Sequence, residues 1–309
     1  MTNIKVLSVN ISEQKGTVKH PVDTILLGDQ GISGDAHAGP WNRMVSMLGI
    51  ESVRRFEEQA GRKIEFGEFA ENITTEGLEL FHAQPMDRFY LGEVVLEVTQ
   101  IGKKCHGDNC AIYREVGNCV MPKEGIFCRV IAKGSLQAGV TGTYEQKVFK
   151  VLVVTLSDRA SQGVYEDRSG PEIENRLTEY FSAKGRLVEI LKKVIPDDAA
   201  ALEQILKENK SVCDFIFTTG GTGIGDRDIT PEVVKPLLDK EIPGIMEMIR
   251  VKYGMEKPNA LLSRSVAGIM GSCFVFTLPG SVRAVNEYLD EITKTMMHLV
   301  YMKNGLDVH

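Results

Sequence analysis

Two stretches carry most of the residues that can do chemistry. One runs Thr218-Thr219-Gly220-Gly221-Thr222-Gly223-Ile224-Gly225-Asp226-Arg227-Asp228-Ile229-Thr230-Pro231-Glu232. Glycines and exposed amides just ahead of a helix suit an anion. The stretch lacks the G-x-x-x-x-G-K-[ST] of a P-loop and fails G-x-G-x-x-G, because Asp226 stands where the third glycine belongs. Its carboxylates, Asp226 and Asp228, would repel a phosphate unless a divalent cation lay between, as Mg²⁺ does when one or two carboxylates and substrate phosphates hold it. A solvated turn with acidic helix caps is the plainer alternative. The other stretch ends a strand at Gln100-Ile101-Gly102-Lys103-Lys104-Cys105-His106. Cationic neighbours favour the thiolate of Cys105. A thiolate can bind a metal or carry sulfur as a persulfide.

Two further segments share the first stretch's character. Ser157-Asp158-Arg159-Ala160-Ser161 and Leu278-Pro279-Gly280-Ser281 each follow an apolar run and lead toward a helix. The elements behind them explain why. Residues 149–156 (FKVLVVTL) are continuously apolar, as expected of a strand buried on both faces. Strands are expected at 187–194, 215–218 and 273–278, and helices at 171–181, 198–209, 231–238, 245–253 and 281–299. Such alternation builds a largely parallel sheet with helices on both faces, an α/β three-layer sandwich. Ligands then bind beyond the carboxyl ends of its strands, where these segments lie.

The first half reads differently. Short strands at 4–9, 24–27, 88–90, 94–99 and 126–131 and one helix at 49–59 suggest a mainly-β barrel. Residues 134–146 (GSLQAGVTGTYEQ) read as a strand end and a linker, placing the domains at 1–146 and 147–309. The total of 309 residues supports two domains. Net charge is −6, and both halves are mildly acidic, with 16 basic against 19 acidic residues in 1–147. That argues against general nucleic-acid binding. No apolar run is long enough to span a bilayer and no signal peptide is evident, so a cytoplasmic protein without a membrane partner is expected.

The second half resembles the molybdopterin adenylyltransferase family, of the MogA, MoaB and gephyrin G-domain type. The resemblance rests on SDRAS at 157–161, DRSGP at 167–171, IPDD at 195–198, TTGGTGIGDRDITPE at 218–232, LSRSVAGIMGS at 262–272 and LPGS at 278–281. It implies that the terminal phosphate of molybdopterin attacks the α-phosphate of Mg-ATP, giving adenylylated molybdopterin and pyrophosphate. An ionised phosphate needs no strong base, so positioning and charge neutralisation dominate. The resemblance makes Asp197 and Asp228 the catalytic aspartates, on Mg²⁺ or its waters. It gives Gly220, Gly221, Thr222 and Gly223 the pterin phosphate, with Asp226 and Thr230 in the same substrate-binding loop. Ser157, Asp158 and Arg159 would meet the pterin. Ser263 and Arg264 would take a phosphate, and Pro279, Gly280 and Ser281 the nucleotide. For Asp197 a helix cap is the plainer alternative.

Most of residues 4–134 resemble the MOSC domain, named for the C-terminal domain of molybdenum cofactor sulfurases. GDAHAG at 34–39, ENITTEGL at 71–78 and the strand-end cysteine carry the match. The resemblance implies a β-barrel that binds molybdenum cofactor or handles sulfur. Cys105 fits the family cysteine best by its distance from the strand, with Cys110 second. His37, Arg43, Asn72 and Thr74 are candidate ligand contacts, although Asn72 also suits a turn. Cys119 and Cys128 read as small apolar fillers. No pyridoxal-phosphate desulfurase domain is evident, so sulfur would come from a donor protein, and a molybdenum-insertion protein is a further expected partner. The resemblance also implies a homotrimer through the second domain. Two alternatives stay open: a cofactor carrier without turnover, and a sulfurtransferase acting through Cys105.

Overall fold

The computed structural model describes residues 2–103 and 119–306. The chain divides into two compact units, Met1–Lys147 with Val300–His309, and Val148–Leu299.

The first unit is built on a barrel. Its strands are β1 (Thr2–Ile11), β2 (His20–Pro21), β3 (Thr24–Gly28), β4 (Gly31–Ile32), β5 (Val45–Gly49), β6 (Ile73–Glu76), β7 (Arg88–Leu91), β8 (Val94–Ile101), β9 (Ile126–Ala132), β10 (Gly134–Gln137) and β11 (Thr141–Glu145). The order β11-β7-β8-β9-β5-β6-β1 closes through a β1–β11 pairing, giving seven strands without a free edge. Strands β10, β3 and β4 form a small separate sheet. The stretch expected to be a linker therefore holds two strands, and β11 closes the barrel. Its glycine is a fitting device rather than a breaker, because a Cβ at Gly142 would lie 2.0 Å from the Tyr90 carbonyl oxygen. Alternate side chains from Val6, Val45, Phe89, Leu96 and Ile126 fill the interior. The Ile50–Ala60 helix packs Val53 and Phe56 on Phe69 and Phe127 in a satellite cluster.

The second unit holds β12 (Val148–Leu156), β13 (Leu187–Ile195), β14 (Phe215–Thr219), β15 (Lys240–Glu241), β16 (Ala267–Met270) and β17 (Cys273–Leu278), in the order β13-β12-β14-β17-β16-β15. The first four run parallel, and β16 and β15 are antiparallel additions. The mixed sheet with its helices is consistent with a three-layer sandwich. Period-two alternation explains the continuous apolar runs. Leu152, Val154, Ile216 and Val275 pack with Leu202 and Leu206 on one face. The rings of Phe149, Phe181, Phe215, Phe217, Phe274 and Phe276 pack against one another, some stacked and some tilted, on the other. No helix among the described residues is long and apolar enough to cross a membrane.

Candidate active site

Three parallel strand ends converge. The Gly220 amide donates to the Leu278 carbonyl at 3.0 Å, and Thr219 Oγ1 donates to the Pro279 carbonyl at 2.9 Å. The glycine-rich loop thus lies directly against the Leu278-Pro279-Gly280-Ser281 turn. Gly220 has φ +101°, and a Cβ there would stand 2.3 Å from the Leu156 carbonyl oxygen. Only glycine permits this approach of backbone to backbone. Thr230 is fully buried and closes the loop, its Oγ1 donating to the Gly220 carbonyl at 2.9 Å and its amide to Gly221 at 3.0 Å. A cavity of about 500 Å³ opens beside the loop. Gly221, Thr222, Asp228, Ser263, Gly280 and Tyr288 are among its walls.

Arg264 is the loop's staple. Its amide donates to the Thr222 carbonyl at 2.9 Å, Nε to Gly223 at 2.6 Å and Nη2 to Asp228 at 2.7 Å, while Nη1 meets Glu232. Its guanidinium is bound to two backbone carbonyls and a carboxylate. The Asp228 carboxylate accepts the Gly225 amide at 2.8 Å through Oδ2 and lines the cavity.

A second carboxylate group faces this loop. The Asp158 amide donates to Asp197 Oδ2 at 3.2 Å, and the Asp197 amide donates to Asp158 Oδ1 at 3.1 Å. Arg227 lies 3.4 Å from Asp158 Oδ2. Burial raises the Asp197 carboxyl above its ordinary value, and the like charges of Asp158 and Asp228 add to the rise. Among the described residues no three His, Cys, Asp or Glu side chains gather closely enough to hold a metal by themselves. Asp198, not Asp197, caps the Ala199–Asn209 helix, accepting the Ala201 amide at 2.8 Å.

The barrel unit holds a buried polar network. Lys19 and Asp35 are 2% and 5% exposed and paired. Burial pushes the Asp35 carboxyl up, but hydrogen bonds from His37 and Lys19 outweigh it and hold it well below the usual carboxylate range. Asn72 Oδ1 accepts the Ser46 amide and hydroxyl at 3.1 and 2.9 Å. Its Nδ2 donates to the Asn10 carbonyl and Asp35 Oδ2, both at 3.1 Å. Thr74 Oγ1 donates to Glu71 Oε1 at 3.0 Å. Among the described residues Glu71 Oε2 is buried without a hydrogen-bond partner, and burial holds that carboxyl above its ordinary value.

Residues 152–298 match the family described as "Probable molybdopterin binding domain", and residues 34–141 match the MOSC domain. The chain is 37% identical over 150 residues to the molybdopterin adenylyltransferase of Helicobacter pylori, covering 48% of this chain and 84% of that protein. It is 39% identical over 160 residues to that of Pyrococcus furiosus, covering 50% and 90%. The chain belongs to the molybdopterin adenylyltransferase family. Its first half is a MOSC domain fused to that family's domain. It is also 38% identical over 160 residues to Dictyostelium discoideum gephyrin, covering 50% of this chain and 22% of that longer protein. Among solved structures, the tungsten cofactor synthesizing protein MoaB from Pyrococcus furiosus is 40% identical, covering 50% of this chain and 97% of that one at TM-score 0.45.

In the adenylyltransferase domain, the structure brings together Gly221, Thr222, Gly223, Asp228, Ser263, Pro279, Gly280 and Ser281 around one cavity. Asp226 lines a smaller hollow with Asp228 and Arg264. Ser157 and Arg159 are not among the walls of either. Ser157 caps the short Asp158–Ser161 helix, and the Arg159 guanidinium lies 5.3 Å from the Tyr165 ring centroid. Sequence reasoning missed Arg250, Tyr253, Lys257 and Tyr288 on the cavity wall. Tyr288, on the helix that was expected at 281–299, donates to Ser263 Oγ at 2.8 Å. In the MOSC domain, Asn72 and Thr74 are buried and turned inward, whereas His37 and Arg43 keep partial exposure. Asn72 uses both donors and both acceptor sites of its amide within the fold. Cys128 is the expected apolar filler, fully buried 3.6 Å from Met47 Sδ, with its thiol pushed up by burial. Cys105 and Cys110 lie outside the described residues.

Proposed function

We propose that the second domain is a molybdopterin adenylyltransferase and that the MOSC domain binds or hands on the cofactor. The observation that carries this is the single cavity shared by the glycine-rich loop, Asp228 and the Pro279-Gly280-Ser281 turn. In the reaction, a phosphate oxygen of molybdopterin forms a bond to the α-phosphorus of ATP while the α–β bridge breaks and pyrophosphate leaves. The loop amides at Gly221, Thr222 and Gly223 offer donors to the attacking phosphate. The Pro279-Gly280-Ser281 turn offers the nucleotide a wall at the start of the Val282–Lys303 helix.

The donor set fits a hard divalent cation. The negative charge of Asp228 adds to the cost of ionising Asp197, and each of the two retains one carboxylate oxygen without a hydrogen-bond partner among the described residues. Asp197 and Asp228 would hold Mg²⁺, with the nucleotide's phosphates completing the shell, as their number alone does not. Bound Mg²⁺ supplies charge neutralisation between the phosphates. Asp158 positions Asp197 through their paired amides, and Arg264 fixes the carbonyl of Asp228. Most of the rate then comes from placement and electrostatics.

The boundary near residue 146, a homotrimer through the second domain, a cytoplasmic setting, and sulfur-donor or molybdenum-insertion partners belong to this same proposal. A short connection between domains raises the effective concentration of a labile product at the second site. Mixing the chain with Mg-ATP and molybdopterin and finding adenylylated molybdopterin by mass spectrometry tests the reading. Bound but unmodified molybdopterin would make the chain a carrier.

A further inference from the structure

The Val282–Lys303 helix begins in the second unit, yet Val300–His309 belong to the first. The helix stops on Gly305, which takes φ +66°. The Leu306 amide donates to the Tyr301 carbonyl at 2.9 Å and the Gly305 amide to the Met302 carbonyl at 3.1 Å. These are the two bonds of a helix stopped by a left-handed residue. They leave the Asn304 and Gly305 carbonyls for other donors, and Leu306 is only 5% exposed.

Both carbonyls meet the barrel. Arg129 on β9 donates through Nη1 to Asn304 at 2.9 Å, while its Nε and Nη2 hold the buried Glu97 at 3.0 and 2.6 Å. A guanidinium at this end of a helix also meets the negative pole of its dipole. Asn42 donates through Nδ2 to the Gly305 carbonyl at 2.7 Å. Asn42 belongs to the long connection between β4 and β5, residues 33–44, and its own carbonyl accepts Thr99 Oγ1 on β8. The connection is thus pinned at Asn42 by a barrel strand on one side and by the helix end on the other. The MOSC match covers residues 34–141, so the helix end lies outside it.

We propose that this helix end is a strap that holds the β4–β5 loop of the MOSC domain in place. The loop's order then depends on a helix that starts in the adenylyltransferase domain, which makes the strap a device of the fused chain and not of the barrel sequence. It stands on the first unit's own contacts and not on the proposed adenylyl transfer, so either can fail without the other. A connection without regular structure opens locally at small cost. One hydrogen bond to an ordered partner is enough to shift such an equilibrium severalfold.

Trp41, the chain's single tryptophan, stands beside Asn42 and reports on the loop. Its indole is fixed by an Nε1 bond to the His37 carbonyl at 2.8 Å. The test is acrylamide quenching of Trp41 emission in the full chain. Gly305→Val keeps every other residue of the strap, and a Cβ there meets nothing within 4 Å. It acts only by disfavouring the left-handed turn. The quenching constant is expected to rise about 2-fold as the loop opens more often. Asn42→Ala removes the same bond from the other side and should give a similar rise, and the double variant should add nothing further. Gly61→Val is the control. Gly61 ends the Ile50–Ala60 helix at φ +68° with equally open space, and its replacement should leave Trp41 unchanged. An unchanged constant in Gly305→Val or in Asn42→Ala, effects that add in the double variant, or an equal rise in Gly61→Val overturns the proposal.

Discussion

Asp158 and Asp197 hold each other by exchange: each donates its amide to the other's carboxylate, at 3.2 and 3.1 Å. The exchange brings two negative charges together at the end of β12 and β13, opposite the loop that carries Asp228. A fold gains little stability from such an arrangement. It gains a place that favours a cation.

The charge at Asp197 should therefore trade stability for activity. Its carboxyl is raised above the unfolded value by burial and like charges. The associated stability is full below the unfolded value and is lost as pH rises through the raised one. Asp197→Asn removes the ionisation and keeps an acceptor for the Asp158 amide. A small rise in Tm at neutral pH is expected together with an activity loss of ~100-fold or more. The wild-type activity should fall on acidification at a pH above the ordinary carboxylate range. A Tm lowered by Asp197→Asn at neutral pH would contradict the electrostatic reading.

Arg264 should behave as a positioning residue. Arg264→Lys keeps the charge but cannot reach Gly223, Asp228 and Glu232 together. Turnover should drop about 100-fold through misplacement of the loop, with little change in the KM for ATP. A large rise in KM with unchanged kcat would instead show Arg264 binding the nucleotide itself.

Gly220 tests the loop's backbone. Gly220→Ala would drive a Cβ toward the Leu156 carbonyl in a left-handed conformation, costing roughly 1–3 kcal/mol. Urea unfolding of the variant should show a lower midpoint, and pyrophosphate release should be lost with it. An unchanged midpoint would mean the three strand ends do not press together as described.

The barrel's buried charges give an opposed pair of pH effects. Asp35 is held low, so its contribution is full above the unfolded value and is lost as pH falls toward the folded one. Glu71 is held high, so its contribution is lost as pH rises through its raised value. Glu71→Gln should flatten the alkaline side of the stability profile and leave the acid side alone. Asp35→Ala leaves the Lys19 ammonium unpaired and should cost roughly 3–5 kcal/mol, whereas replacing both partners by apolar residues should cost much less. Unfolding curves across pH for the three variants check this.

Much of the second domain's candidate site was legible because its residues are local in sequence. Gly220–Gly223, Asp228 and Pro279–Ser281 sit at strand ends, and parallel strands bring their carboxyl ends to one side. What was not legible depends on partners distant in sequence. The place of Arg264 as a staple of the loop depends on Gly223, Asp228 and Glu232, 32 to 41 residues away, which its own motif does not reveal. The inward hydrogen bonds of Asn72 and Thr74 depend on distant partners in the same way, and Lys19 was passed over because nothing beside it reveals that it is buried on Asp35. The 134–146 segment looked like a linker because strand β11 gains its order from β1 and β7, not from its own residues.

The central claim is adenylyl transfer at Asp228. Pyrophosphate release from Mg-ATP in the presence of purified molybdopterin tests it most directly, with wild type beside Asp228→Ala. The account predicts release that requires molybdopterin and falls at least ~100-fold in the variant. Equal release by the two proteins, or none from wild type while molybdopterin is bound, would contradict it.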